Sequence, residues 1–321
     1  MKGYSLNECC TSFGISRQAH NKALKKAKHC EEFETDVLEK VKEIRKEQPK
    51  VGTRKLKKHL EVKFNFFIGR DTLFSLLSEN RMLVKKKRFG MRTTDSRHGF
   101  KRHGNKIKDM IIDNPEQVYV SDITYIRVNR LFLYLFLVTD IHSKQIMGYY
   151  LGKDMHRNNA LKALNHAIKN RVYSNSEIIH HSDCGSQYCS KDYIELLEKN
   201  GFTVSMTEEN HCYENSIAER VNGILKSELG LEDIFNSIKE AKAKVNKAIE
   251  TYNTKRLHLS CEMLTPNQAH AKGGPLKKMW SKRVWGKKKE IESIEKCGQN
   301  ETTPTSSADP FSSFHFLSSL N

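Results

Sequence analysis

The chain has 321 residues and a formal net charge of +17, and the positive charge is concentrated in its first third. Residues 1–108 hold 28 Lys and Arg against 12 Asp and Glu, whereas the remaining residues hold 27 against 26. A basic arm on a nearly neutral body suggests an anionic partner such as nucleic acid, although a solvated, solubilising surface has the same composition. The longest apolar run, residues 131–138, is too short to cross a bilayer, and MKGYSLNECC lacks a signal-peptide core, so we expect a cytoplasmic protein without membrane segments.

The N-terminal arm is predicted to be helical. Residues 5–29 indicate short helices with a turn at Phe13-Gly14, and Ser16 is a suitable N-cap for the helix that follows. A second helical module is predicted to begin near Asp36, and its first helix ends at Pro49. Two further short helices carry Lys and Arg on their outer faces, which is typical of a DNA-docking unit but also of a small bundle with a merely solvated basic face. The basic candidates for DNA contact in these helices are Arg54, Lys55, Lys57, Lys58 and Arg70.

The pattern changes at about residue 116, where strands begin to dominate. Residues 117–128, 131–141 and 145–152 predict three strands separated by short turns, which favours an antiparallel meander. Helices are then predicted at about 157–170, at 192–200 and from about 214, and they alternate with strands at 177–181 and 202–206. This order predicts an α/β fold with a mixed sheet, of the ribonuclease-H-like type.

The composition of the connecting segments completes the predicted domain organisation. The segment from 85 is strongly basic without periodicity and predicts a flexible linker, and the tail from 298 is rich in Pro, Ser and Thr and is predicted to be disordered. The predicted domains are a helix-turn-helix-like segment (1–35), a helical DNA-binding module (36–84), a basic linker (85–115), an α/β core (116–232), a helical extension (233–297) and the tail (298–321).

Two aspartates occupy positions where the predicted strands favour a ligand site. Asp122 shares one face of its strand with residues expected to be buried, and a buried carboxylate needs a cation or hydrogen bonds to compensate its charge. It is therefore either a metal ligand or an aspartate hydrogen-bonded to a neighbouring turn. Asp183 directly follows a strand, where ligand sites of α/β sheets concentrate, and an Asx-turn or N-cap role is the alternative for an aspartate in H-S-D-C-G-S-Q-Y.

A third carboxylate, Glu219, lies on the predicted long helix. At about 100° per residue it falls in line with Asn215, Asn222 and Lys226, opposite the apolar side of the helix. A solvated polar face would have the same pattern, but asparagine is a poor helix former and needs a reason to be there. We predict Asn215, Asn222 and Lys226 to be DNA contacts.

Together, three carboxylates from two strands and a helix can hold two Mg²⁺ or Mn²⁺ ions, since these hard cations take oxygen ligands. Two such ions activate an attacking oxygen and stabilise a leaving oxygen in phosphoryl transfer. A different metal site at His180, His181, Cys184 and Cys189 is not expected, because their spacing fits no common zinc pattern and core packing explains them better.

At the three carboxylates the chain resembles the insertion-sequence transposases with a retroviral-integrase core, specifically the IS-three family. The motifs are Y-V-S-D-I-T-Y-I at 119–126, H-S-D-C-G-S-Q-Y at 181–188 and N-S-I-A-E-R-V-N-G-I-L-K-S-E-L at 215–229. Sixty residues separate the aspartates and 35 separate Asp183 from Glu219, the D-D-35-E spacing. The resemblance covers roughly residues 36–275, including V-G-T-R-K-L at 51–56, Y-N-T-K-R-L-H at 252–258 and L-T-P-N-Q-A at 264–269.

The resemblance implies a DNA transposase that nicks element ends and whose freed 3′-hydroxyl attacks a phosphodiester. It implies that Asp122, Asp183 and Glu219 are the catalytic metal ligands and that Lys226 is the family's basic position. Asp140 also occurs in the family's pattern, and we interpret it as structural rather than as a fourth ligand. The implied partners are terminal inverted repeats, target DNA, further copies of the chain in a synaptic complex and a helix-turn-helix protein from an upstream frame, within a bacterial cytoplasm at the nucleoid. The alternatives are a DNA-binding protein with an inactive nuclease-like core and a ribonuclease-H-type enzyme.

Overall fold

The structure is a computed structural model, and it describes residues 5–84, 103–108, 110–173, 177–208 and 215–279. Most of the predicted linker, residues 85–102, and the whole predicted tail from 298 lie outside the described residues. Among the residues described, no helix is both long and apolar enough to cross a membrane.

Four helices form the N-terminal part of the chain: α1 (Leu6–Ser12), α2 (Arg17–Glu47), α3 (Thr53–Phe64) and α4 (Arg70–Glu79). The predicted start of α2 is confirmed, because the Ser16 hydroxyl accepts a hydrogen bond from the backbone N–H of Ala19 at 3.1 Å. Gly14, at φ +66°, makes the turn before it.

The prediction of a separate helix beginning near Asp36 is wrong, because α2 is a single helix of 31 residues. The predicted boundary between 35 and 36 therefore falls inside a helix. Residues 17–35 are nearly all exposed and rich in Lys, Ala and Glu, so they form helix by intrinsic propensity and show no buried stripe. The buried stripe begins only at Val37.

The predicted apolar faces of α2, α3 and α4 pack on one another as expected. Their buried residues are Val37, Val41, Ile44, Leu56, Leu60, Leu73, Leu76 and Leu77, joined by Val51 and Ile68 from the connections. A small helical module with its own core thus precedes the sheet.

One five-stranded sheet forms the centre of the protein, with strand order β3-β2-β1-β4-β5. The strands are β1 (Val118–Val128), β2 (Leu131–Asp140), β3 (Ile146–Gly152), β4 (Ile178–Ser182) and β5 (Phe202–Met206). The first three form the predicted antiparallel meander, and β4 and β5 add to β1 in parallel. The predicted mixed sheet is confirmed, with strand ends within one or two residues of those expected.

Helices cover both faces of this sheet. One face carries α5 (Arg157–Lys169) and α6 (Lys191–Lys199), and the other carries α7 (Ser216–Ser227) and α8 (Ile238–Thr254). A 3₁₀ turn at Leu259–Cys261 and α9 (Pro266–Lys272) follow. The predicted α/β fold with a mixed sheet, preceded by helices at the N-terminus, is confirmed.

A buried charge cluster attaches α9 to the sheet. His270 lies between two fully buried carboxylates, with Nε2 at 3.2 Å from Glu116 and Nδ1 at 3.6 Å from Asp140. Burial alone lowers the pKa of His270, but hydrogen bonds with Asp140 and Glu116 outweigh it and raise that pKa to about 9. Asp140 also accepts from the backbone N–H groups of Glu116 and Ser143. The structural role expected for Asp140 is confirmed.

Candidate functional site

The parallel pairing of β1 with β4 brings the two candidate aspartates together. Val120 is opposite His181 and Ser121 is opposite Ser182, so Asp122 and Asp183 occupy the next position along each strand direction. Side chains alternate along a strand, so Asp122 lies on the same face as Val120 and above α7. Neighbouring strands are about 4.8 Å apart, which makes these two carboxyl groups neighbours.

Local hydrogen bonds orient both carboxylates. Asp122 accepts from the N–H of Ile123 at 2.8 Å through Oδ1 and from Asn222 Nδ2 at 2.7 Å through Oδ2. Asp183 Oδ1 accepts from the N–H of Gly185 at 3.1 Å, so the Asx-turn that the sequence left open is present. A Cβ at position 185 would lie 3.0 Å from that oxygen, which explains the glycine.

The electrostatic environment disfavours a bare negative charge at Asp122. Burial is the largest cause and the charge of Asp183 the next, and together they raise the pKa of Asp122 to about 7 against hydrogen bonds that lower it. Glu219 adds a smaller effect in the same direction. A cation at this position would remove the unfavourable interaction, and the all-oxygen donor set is the one that Mg²⁺ and Mn²⁺ prefer.

The structure does not bring Glu219, the third predicted ligand, into one metal-binding group with this pair. Glu219 is exposed on the first turns of α7, although its charge acts on Asp122. In the part of the chain that the structure describes, no three His, Cys, Asp or Glu side chains are arranged to hold one metal ion. The structure thus brings Asp122 and Asp183 together and places Glu219 on the adjacent helix, but it does not gather all three predicted ligands around one metal position.

The two asparagines of α7 face the sheet instead of solvent. Asn215 Nδ2 donates to the backbone oxygen of Ser121 at 3.1 Å, and Asn222 donates to Asp122. Both side chains are buried. Their predicted role as DNA contacts is therefore replaced by a structural one: they attach α7 to β1 beside the carboxylates.

Lys226 lies on the same side of α7, half-buried, with Nζ 3.6 Å from the centroid of the Tyr125 ring. Burial lowers the pKa of Lys226, whereas the nearby charge of Asp122 raises it. This cation–π contact places an ammonium group beside the aspartates. Sequence reasoning missed Tyr125, although it lies three residues after Asp122 in the same motif.

Most of the basic residues predicted in the N-terminal module are accessible. Arg54 and Lys58 are exposed on α3, and Arg70 is exposed and pairs with its neighbour Asp71. Lys57 forms an ion pair with Glu61 one turn along α3. A cleft of about 410 Å³ between the starts of α3 and α4 is lined by Arg54, Arg70 and Phe74, among others.

Lys55 does not fit the predicted DNA-binding role. It is only 8% exposed, and its Nζ donates to Glu228 at 3.0 Å. Its side of α3 packs toward the end of α7, a contact that a helical pattern within the module does not reveal. Sequence reasoning therefore missed Glu228 and its second partner, Arg256.

The neighbouring histidines and cysteines pack as predicted. His180 Nε2 hydrogen-bonds the Ser121 hydroxyl at 2.7 Å and the Tyr193 hydroxyl at 3.0 Å, and Cys189 is buried. His181 Nδ1 lies 2.9 Å from the Ser205 hydroxyl. These side chains form the support beneath the aspartates.

The fold and the paired aspartates define an α/β protein of the integrase-core class. The family model "Integrase core domain" matches residues 113–212, and a second model of the same description matches residues 200–266. The chain is 32% identical over 264 residues to the "Insertion element IS600 uncharacterized 31 kDa protein" of Shigella sonnei, covering 80% of this chain and 95% of that protein. It is also 32% identical over 193 residues to the "Transposase InsF for insertion sequence IS3A" of Escherichia coli (strain K12), covering 57% of this chain and 67% of that protein.

Among solved structures, the HTLV-2 integrase catalytic core domain in complex with magnesium aligns with 49% of this chain and 97% of that one, at 21% identity and a TM-score of 0.39. From the sequence relatives, the chain belongs to the insertion-sequence transposases with an integrase core, the group that includes the IS3A transposase. The resemblance stated from the motifs is confirmed.

Proposed function

We propose that this chain nicks DNA at the ends of an insertion element and transfers the freed 3′-hydroxyl to a second phosphodiester, with divalent metal held by Asp122, Asp183 and Glu219. The observation that carries the proposal is the parallel register of β1 and β4, which makes the two aspartates neighbours on a rigid sheet edge. The helix that bears Glu219 packs against the same strand.

The protein side chains have distinct tasks in this reaction. Asp122 and Asp183 present oxygen ligands, and Asn222 keeps the Asp122 carboxylate in one orientation. Bound Mg²⁺ or Mn²⁺, as two ions, would activate the attacking oxygen and stabilise the leaving oxygen. Lys226, held over Tyr125, is placed to contact a DNA phosphate entering beside the aspartates.

Glu219 completes the set by a movement of α7 toward the sheet. Its side chain is exposed, and a cation bound at this site would offset the repulsion between Glu219 and Asp122. The proposal therefore includes a small adjustment of α7 when metal and DNA bind.

The N-terminal module supplies the sequence-independent part of DNA binding. Arg54, Lys58 and Arg70 are exposed near the cleft at the starts of α3 and α4, and we propose that they contact phosphates of the terminal inverted repeats. Target DNA, further copies of the chain in a synaptic complex and an upstream-frame helix-turn-helix protein are the remaining proposed partners, in the cytoplasm at the bacterial nucleoid.

The test uses the full chain, Mn²⁺ and a labelled duplex taken from the DNA that flanks its own gene. The wild type is expected to nick or join this duplex, and Asp183→Asn is expected to abolish cutting while binding persists. Asp192→Asn, an exposed aspartate on α6 that pairs with Arg157, is the matched control and should cut like the wild type.

Two outcomes would contradict the proposal. Equal cutting by the Asp183→Asn variant would show that the metal site is misassigned. Binding without any cutting by the wild type would favour a DNA-binding protein with an inactive core. A parallel assay on an RNA–DNA hybrid separates the transposase from a ribonuclease-H-type enzyme.

A further inference from the structure

A second cluster of charged residues holds the C-terminal end of α7. Glu228 is the C-cap residue of α7, and Arg256 donates to it twice, from Nε to Oε2 and from Nη2 to Oε1, each at 2.9 Å. Lys55 donates to the same carboxylate from α3 at 3.0 Å. The Lys55 and Arg256 side chains are 10% and 3% exposed, so these charge-assisted bonds are shielded from water.

This cluster connects the N-terminal module to the helix that bears Glu219. Other contacts follow the same boundary: Gln48 Nε2 donates to the backbone oxygen of Lys255 at 3.3 Å, and Lys50 lies 3.9 Å from Glu232. The Lys50 pair is more exposed than the Glu228 cluster, and exposed pairs contribute little. Gln48 is also buried, but its partner Lys255 follows α8, so the buried link from Lys55 to Glu228 is the contact described here that reaches α7.

The position of Glu219 depends on how α7 is held along its length. Asn215 and Asn222 attach the helix to β1 near the aspartates. Glu228 lies nine residues after Glu219, which is about 14 Å along the helix axis. The buried apolar residues of α7, Val221, Ile224 and Leu225, also pack on the sheet, and the Glu228 cluster adds a charged attachment at the C-terminal end of the helix.

We propose that Glu228 is a positioning residue for Glu219: Lys55 and Arg256 hold Glu228, and Glu228 sets the tilt of α7 and so the distance from Glu219 to the two aspartates. The inference rests on the metal-dependent function proposed above. Because Lys55 neighbours the exposed Arg54, the same link couples DNA bound on α3 to the metal site.

The decisive variant is Lys55→Met, which removes the ammonium group and keeps a flexible side chain of similar length. Glu228 retains its two bonds from Arg256, so no buried carboxylate is left unpaired and the fold should survive. Glu228→Gln is the stronger second variant. Glu61→Gln is the matched control, because it breaks an ion pair with Lys57 inside α3 that does not involve α7.

The measurement is the rate of nicking of the gene-flanking duplex by the full chain as a function of Mn²⁺ concentration. We expect the Mn²⁺ concentration at half-maximal rate to rise about tenfold for Glu228→Gln and about threefold for Lys55→Met, in line with other changes behind metal ligands. Glu61→Gln should leave it unchanged. A variant that only contains less folded protein would nick more slowly at every Mn²⁺ concentration. Its half-maximal Mn²⁺ concentration would equal that of the wild type.

The inference would be overturned if Lys55→Met needed the same Mn²⁺ concentration as the wild type for half-maximal nicking. This test remains valid if Glu228→Gln fails to fold. A wild type that binds DNA but never nicks counts against the proposed function instead. In that case the Mn²⁺ concentration that half-saturates the rise in melting temperature gives the same comparison of variants, so the two failures are distinguishable.

Discussion

Replacing Asp122 by Asn should stabilise the metal-free protein and destabilise the metal-bound one relative to the wild type. The pKa of Asp122 is raised to about 7 from 3.8, first by burial and then by the charge of Asp183. Such a group costs no stability below the unfolded value of 3.8, costs progressively more as the pH rises toward 7, and costs the full amount above it.

The size of this effect follows from the two pKa values. The difference corresponds to an upper limit of about 4 kcal/mol at pH 8. Asp122 is half-buried, so solvent screening reduces the expected gain from Asp122→Asn to about 1–2 kcal/mol. For a protein of this size that is a rise in Tm of roughly 2–6 °C.

Bound metal should reverse the order of the two melting temperatures, so that the wild type melts higher than Asp122→Asn. A ligand present at 100 times its Kd stabilises a folded protein by about 2.7 kcal/mol. The wild type should gain this amount in saturating Mn²⁺, whereas Asp122→Asn lacks the charged ligand and should gain little. The variant that melts higher in a chelating buffer should then melt lower in Mn²⁺.

The assay is thermal unfolding at pH 8 and at pH 5, each with chelator and with Mn²⁺. Asp36→Asn, which changes an exposed aspartate on α2, controls for the loss of one negative charge. The reasoning is refuted if Asp122→Asn melts no higher than the wild type in chelator at pH 8. An equal Mn²⁺ gain in both proteins would refute the assignment of Asp122 as a ligand.

Three further perturbations test other parts of the structure. Lys226→Ala should weaken binding to the duplex while Tm changes by less than about 2 °C, because a half-exposed helix Lys contributes little stability; unchanged anisotropy titrations would contradict this. His270→Gln should cost about 3 kcal/mol by breaking the link between Glu116 and Asp140. The wild-type stabilisation from His270 is fully present below pH 6.5 and lost as the pH rises through about 9, so the Tm difference should shrink at pH 10. Arg54→Gln should reduce the slope of log affinity against log salt by about one, and an unchanged slope would exclude a phosphate contact.

The sheet was predictable because its signals are local. Alternation in β1, the apolar run of β2 and short turns between them predict the meander without any knowledge of tertiary contacts. The closeness of Asp122 and Asp183 depends in addition on the parallel pairing of β1 with β4, which local signals do not predict and which the family motifs implied. Helix α2 shows the limit, because its exposed first half has no apolar stripe to report its continuity.

Lys55 shows why the basic residues of the module were harder to assign. A pattern of Lys and Leu at helical spacing identifies the residues that face the module's own core. It predicts that the residues on the other sides of the helix are exposed to solvent. Lys55 lies next to the core residue Leu56, on a side that another part of the fold covers. Contacts between parts of a chain that are far apart in sequence leave no periodicity, so the partner Glu228, 173 positions away, could not be read from the pattern.

The same distinction separates the three carboxylates. The aspartates are placed by backbone hydrogen bonds of adjacent strands, which determine their spacing to within the geometry of a sheet. Glu219 is placed by the side-chain contacts of a helix, through buried residues such as Val221, Ile224 and Leu225. The proposed set of metal ligands therefore has two members positioned by the sheet and one positioned by the packing of a helix.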